Sequence, residues 1–106
     1  MLNVLKTIAA ISTAPGAGGI GVVRASGPLA LEIGQKISGV KLSPRVANFH
    51  SFKDLNGSLI DQGLILFFSG PNSFTGEDII EFQCHGGTVV TQSVLNLCLG
   101  LIRLPR

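Results

Sequence analysis

The stretch GPNSFTGEDIIEFQCHGG, residues 70–87, decides how this chain folds. It opens with the loop residues Gly70-Pro71-Asn72-Ser73 and closes with Gly86-Gly87, and between them residues 78–85 alternate in character. Ile80, Phe82 and Cys84 fall on one face, while Ile79, Glu81, Gln83 and His85 fall on the other. A period of two is that of a β-strand with one face in a core. The opposite face carries a carboxylate, an amide and an imidazole. A carboxylate inside a mostly apolar strand is costly unless it finds a donor or shifts its protonation, so Glu81 calls for a partner or a ligand. After the glycines, Thr88 is expected to cap a helix whose inward stripe is Val90, Val94, Leu97 and Leu101.

Outward from that strand, residues 59–68 form a second one, with Leu64, Leu66 and Phe68 on one face and Ile65 and Phe67 on the other. Two apolar faces predict a central strand covered on both sides. Residues 47–53 read as an edge strand joined to it through Asp54-Leu55-Asn56-Gly57, whose Asn-Gly pair marks a tight hairpin. Further upstream, residues 7–12 and 19–25 are short β-prone runs around an Ala-Pro-Gly-Ala-Gly turn. Ser26-Gly27-Pro28 starts a helix with Pro at its first position, Leu29, Ile33 and Ile37 as its buried stripe and Gly39 as its C-terminal cap. Residues 41–45 are a polar connection. The order is β-β-α-β-β-β-α, an α+β domain of two layers.

With 106 residues the chain is one domain able to bury a core without disulfides or metal. Hydrophobic residues make up 45% and charged residues only 13% of it, against roughly 25% charged in an average soluble domain. That deficit predicts an apolar patch that meets a partner. The net charge of +2 comes from eight basic and six acidic residues with no cationic run, so a clustered nucleic-acid footprint is missing from the sequence. No apolar stretch reaches the ~18 residues of a membrane span. Lys6 lies inside the N-terminal apolar stretch and no cleavage site follows it, so the N-terminus reads as a first strand and not a signal peptide. Cys84 and Cys98 without a secretory signal predict free, buried thiols in a cytoplasmic protein. Two Cys and two His without C-x-x-C or H-x-x-x-H spacing give no metal site.

The match of residues 16–21 to G-x-G-x-x-G is rejected as a dinucleotide fingerprint, because Ile20, Val22 and Val23 continue as a strand where a helix is required. Gly18 and Gly19 stand instead either in a flexible turn or where bare backbone lets a flat ligand approach. There is no G-x-x-x-x-G-K-[ST] for nucleotide phosphates. Cys84 and His85 are neighbours on a strand and point to opposite faces, which excludes a nucleophile–base dyad. His85 remains a candidate beside the Gly-Gly start of a helix, whose free N–H groups suit an anionic or polar ligand. Arg24, alone among Ile20, Val22 and Ser26, is either a surface cation or an ion-pair partner. Glu77 and Asp78 read as a solvated strand start.

Three segments, APGAGGIGVVRASGPLAL (residues 14–31), DQGLILFFSGPNSFTGEDIIEFQCHGG (61–87) and IRLPR (102–106), resemble the N-terminal domain of the tRNA-modifying GTPase family called TrmE or MnmE. The similarity runs in the same order over nearly the whole chain. It implies a mixed β-sheet with two helices, like the folate-binding aminomethyltransferases, that binds 5-formyltetrahydrofolate or a related one-carbon tetrahydrofolate and forms a homodimer. It further implies a domain that continues past Arg106. In that family the rest of the protein carries the GTPase with its GTP, Mg and K. With an FAD-dependent partner it modifies C5 of the tRNA wobble uridine, adding an aminomethyl or carboxymethylaminomethyl group. The family's folate-contacting Arg and Glu fall on Arg24 and Glu81, and Gly18, Gly19, Gln83 and His85 are further candidates. On this resemblance Glu81 reads the pterin edge and Arg24 holds a polar substituent or the glutamate tail, with no catalytic residue in this chain. The alternative is a structural dimerisation module whose polar strand face is an inter-subunit hydrogen-bond network. Two departures stand out. Ala17 replaces a loop Arg, which removes a cation near the site, and Cys84 replaces a Gly at the strand's end.

Overall fold

In a computed structural model, which describes residues 6–12, 19–73, 75–85 and 87–105, the alternating segments become five strands. In chain order the elements are β1 (Ile8–Ile11), β2 (Gly21–Ser26), α1 (Ala30–Ser38), β3 (Asn48–Lys53), β4 (Leu59–Phe68), β5 (Ile79–Cys84) and α2 (Gly87–Ile102). The expected order holds. The sheet runs β1-β2-β5-β4-β3, which makes the 79–84 strand its centre. Its strand pairs are all antiparallel, and the mixed character expected of the sheet is confined to one parallel bridge, Pro44 to Phe67.

Register then sorts the side chains. Val23 stands opposite Phe82 and Ala25 opposite Ile80 on one side of β5, with Ile65 and Phe67 opposite the same two residues on the other. All belong to the core, together with Ile33 and Ile37 of α1 and Val94 and Cys98 of α2. Phe52 of β3 meets the Phe82 ring edge-on at 5.3 Å between centroids, a favoured aromatic geometry. Both helices therefore cover the same face. The opposite face carries Leu64, Leu66 and Phe68 half-buried, and no described element lies over it. This corrects the expectation that β4 is the central strand and is covered on both sides: it lies next to the centre, beside β5, and no described element covers its second apolar face.

Local details differ from the sequence pattern for physical reasons. Helix α1 begins at Ala30, two residues later than Pro28 as first position predicts, because Leu29 N–H is taken by Thr7 Oγ1 (3.0 Å) and Ala30 N–H turns back to the Gly27 carbonyl (3.1 Å). Gly39 caps it in the left-handed conformation as expected (φ 76°), with its N–H on the Gln35 carbonyl. The β3–β4 connection is wider than an Asn-Gly two-residue turn. Asp54 Oδ1 accepts both Asn56 and Ser58 N–H at 2.9 Å and holds the loop from within. Helix α2 starts before Thr88, which lies exposed in its first turn and is not its cap. The buried stripe of α2 is Thr91, Val94, Cys98 and Leu101, so Val90 and Leu97 are rotated to the half-buried flanks. No helix is long and apolar enough to cross a membrane among the described residues.

At two glycines, one in α1 and one in β4, neighbouring elements leave no room for a side chain. A Cβ on Gly34 would stand 2.5 Å from Ile80 Cδ1. One on Gly63 would stand 2.0 Å from the Gln83 carbonyl oxygen, a backbone atom that moves only if β4 and β5 separate. Gly63→Ala is accordingly expected to lower the unfolding free energy by about 3 kcal/mol. Gly100→Ala, in α2 with nothing near its added methyl, is expected to raise it by up to ~1 kcal/mol. Urea titrations of the two variants check both signs.

Candidate functional site

The β2–β5 register puts Arg24 directly opposite Glu81 on the uncovered face. Arg24 Nε donates to Glu81 Oε1 at 2.9 Å, and Gln83 Nε2, two residues along the same face, donates to Glu81 Oε2 at 2.9 Å. Glu81 is only 7% exposed. The donor that its burial demands is thus supplied by an adjacent strand, and Arg24 is an ion-pair partner, the second of the two readings open to it. Both carboxylate oxygens are engaged, yet each has a second lone pair directed away from its donor. A nearly buried acceptor with spare capacity can bind two N–H groups presented side by side.

Beside this pair lies a cleft of about 200 Å³ lined by Ile8, Ala10, Arg24, Ser26, Thr75 and Ile79. The segment between β4 and β5 closes its end. Ser26 Oγ lies 2.9 Å from Thr75 Oγ1 and donates to Glu77 Oε1 at 3.2 Å, and Gly70 N–H donates to Asp78 Oδ1 at 2.9 Å. Glu77 and Asp78 are half-buried staples, which corrects their reading as a solvated strand start. The carboxylates fix the loop's ends because its Gly and Pro residues offer few side-chain bonds of their own.

The remaining candidates are placed elsewhere. His85 sits beyond the far end of β5. Its N–H donates to Asp61 Oδ2 at 2.6 Å and its Nδ1 lies 2.9 Å from the Gln62 carbonyl, so Nδ1 carries the proton. Gly19 is exposed ahead of β2, and Gly18 lies outside the described residues. Gly21, the last glycine of the rejected dinucleotide pattern, opens a strand. Asp61, Ser26, Thr75 and Arg45 were not singled out by the sequence pattern. Ser26 had a signal in sharing the Arg24 face, whereas Asp61 and Thr75 act through long-range contacts that no local pattern shows.

The excluded dyad is confirmed by geometry. Cys84 is fully buried with its Sγ 3.8 Å from the Phe82 carbonyl, while His85 is exposed. Burial, with Asp61 nearby, pushes the Cys84 thiol up to about 12, and burial, with Cys84 as neighbour and a backbone hydrogen bond opposing, pushes Cys98 up to about 12. Both cysteines are free. Their folded values lie above the ordinary thiol value, so the unfolded chain loses protons first and stability falls as pH rises from about 9 toward 12. Neither thiol is expected to react with a disulfide reagent at pH 8 until the chain unfolds. Fast labelling of the native protein would contradict their burial.

The fold and site define a small α+β domain with one helix-covered sheet face and, among the described residues, one open face that bears a nearly buried carboxylate paired with a partly exposed arginine. Comparison with known sequences gives the family. The family described as GTP-binding protein TrmE N-terminus matches residues 7–105, and the chain belongs to that family. It is 55% identical over its whole length to a tRNA modification GTPase MnmE of Pseudomonas entomophila, covering 24% of that protein. It is 56% identical over 91% of its length to that of Pseudomonas paraeruginosa, covering 21%, and 52% identical over 95% to that of Haemophilus influenzae, covering 23%. The chain thus spans about a quarter of the length of these relatives.

Removing one member of the acid–base pair leaves the other stranded. Arg24→Met is expected to destabilise the fold by about 1–3 kcal/mol through the unpaired Glu81 carboxylate, and adding Glu81→Gln to recover part of that loss. Urea unfolding of the two single variants and the double variant measures the coupling.

Proposed function

We propose that this chain is a tetrahydrofolate-binding, homodimerising domain that serves tRNA modification. The observation that carries the reading is Glu81, a nearly buried carboxylate held at both oxygens on an uncovered sheet face beside a cleft. A pterin presents an N3–H and a 2-amino group side by side, and Glu81 accepts both, each charge-assisted bond contributing roughly 1.5–3 kcal/mol. Arg24 holds the carboxylate in position and meets a polar substituent of the ring from the cleft wall.

The homodimer is supported by the same face. Leu64, Leu66 and Phe68 are half-buried with no described helix or strand over them, and Ile8 and Phe49 are 62% and 60% exposed. The cleft of about 200 Å³ is smaller than the roughly 300–1,000 Å³ of ligand sites, so a ring bound there needs a second wall, which another copy of the chain supplies. In this reading the domain is not itself catalytic. GTP hydrolysis with Mg and K, tRNA, and an FAD-dependent partner that acts at C5 of the wobble uridine belong to a longer cytoplasmic protein. The relatives' length and their names as tRNA modification GTPases support placing GTP hydrolysis and tRNA modification in a longer protein.

A structural dimerisation module without ligand is the rival reading, favoured by the fact that both Glu81 oxygens are bonded within the chain. Calorimetry with 5-formyltetrahydrofolate separates the two. Saturable heat that weakens tenfold or more in Glu81→Gln is the expected result, and no heat with the fold intact overturns the folate reading. Sedimentation is expected to give a mass that rises with concentration toward a dimer.

A further inference from the structure

We infer that Arg45 is a second cation of the ligand site and takes the carboxylate tail of the bound folate, an inference that rests on the folate reading above. Arg45 is a non-glycine residue at φ 62°, a left-handed conformation that costs free energy and persists only where its surroundings enforce it. Three contacts do so. Its N–H donates to the Phe67 carbonyl at 2.8 Å, its Nη2 donates to the Asn72 carbonyl, and its guanidinium carbon lies 5.7 Å from the centre of the Phe68 ring. An arginine has five N–H donors, and among the described residues no carboxylate forms an ion pair with this one. The result is an exposed, pre-oriented cation with no anionic partner among the described residues, bordering a hollow of about 230 Å³ lined by Phe68, Asn72 and Ser73.

Register places that cation on the Glu81 side of the sheet. Leu66 pairs with Glu81 and Phe68 with Ile79, so Phe68 is the diagonal neighbour of Glu81, on the order of 7–8 Å away. The Arg45 hollow and the Arg24 cleft lie at the same end of the sheet, on either side of the segment that carries Ser73 and Thr75. A folate carries its pyrimidine edge and its carboxylates at opposite ends, separated by a pterin and a benzoyl ring. With the pyrimidine on Glu81, the benzoyl group crosses the Phe68 region and the tail reaches Arg45. Arg24 does not serve the tail in this arrangement, because its Nε is committed to Glu81.

The test compares 5-formyltetrahydrofolate with the diamide of its glutamate tail, which keeps both rings and removes the tail's charge. The 106-residue chain is expected to prefer the acid about tenfold, Arg45→Ala to bind both forms equally, and Arg45→Lys to regain part of the preference. Glu81→Gln is expected to weaken both forms alike. An undiminished preference in Arg45→Ala, equal losses for both forms, or no preference in the unchanged chain overturns the inference while leaving the folate reading intact. Binding of neither form by the unchanged chain overturns the folate reading, and this inference with it.

Discussion

A guanidinium and a carboxylate face each other across the β2–β5 pair, and much of the molecule follows from keeping them there. Arg24 and Glu81 meet because β2 and β5 are aligned so that Val23 and Ala25 fall opposite Phe82 and Ile80 on the other side of the sheet. A slip of one residue would carry the ion pair into the core and the core residues to the uncovered face. Apolar burial on one side therefore fixes the geometry of the polar pair on the other. The glycine at position 63 is part of the same constraint, since the Gln83 backbone runs within reach of any side chain added there.

Both helices lie on the core side, and this asymmetry gives the sheet its functional character. The face with Arg24, Glu81 and Gln83 also carries Leu64, Leu66 and Phe68, half-buried with no described helix or strand over them, and Ile79, which is buried. A low-polarity surround strengthens whatever hydrogen bond the carboxylate makes. The low content of charged residues agrees with such a face, because a surface meant to be covered needs few charges to solvate it. The staples at Ser26, Glu77 and Asp78 then hold the β4–β5 segment across one end, so the face is walled there and open elsewhere.

Much of this was legible in the residues. The alternation of Ile80, Phe82 and Cys84 with Glu81 and Gln83 located the 79–84 strand and both of its faces, although residues 59–68 were expected at the centre of the sheet, and Gly39 marked a helix end correctly. Other features were hidden by their physics. Helix α2 has no charged residue between Gly87 and Ile102, so its inward stripe is poorly marked and fell one position from the true one. The start of α1 depends on Thr7, a residue 22 positions away. The two apolar faces of β4 resembled those of a strand covered twice, because sequence cannot distinguish a face covered by the chain's own elements from one that they leave open. Arg45 carried no signal at all, since left-handed backbone is announced by Gly or Asn and not by Arg.

The central claim is that the helix-free face of the sheet is the ligand face. Amide chemical-shift mapping of the chain titrated with 5-formyltetrahydrofolate tests it most directly. The account predicts shifts concentrated at Arg24, Ser26, Thr75, Ile79, Glu81 and Gln83, with the solvent face of α2 around Gln92 and Asn96 unchanged. Shifts centred on the helices, with Glu81 and Arg24 unmoved, would contradict it.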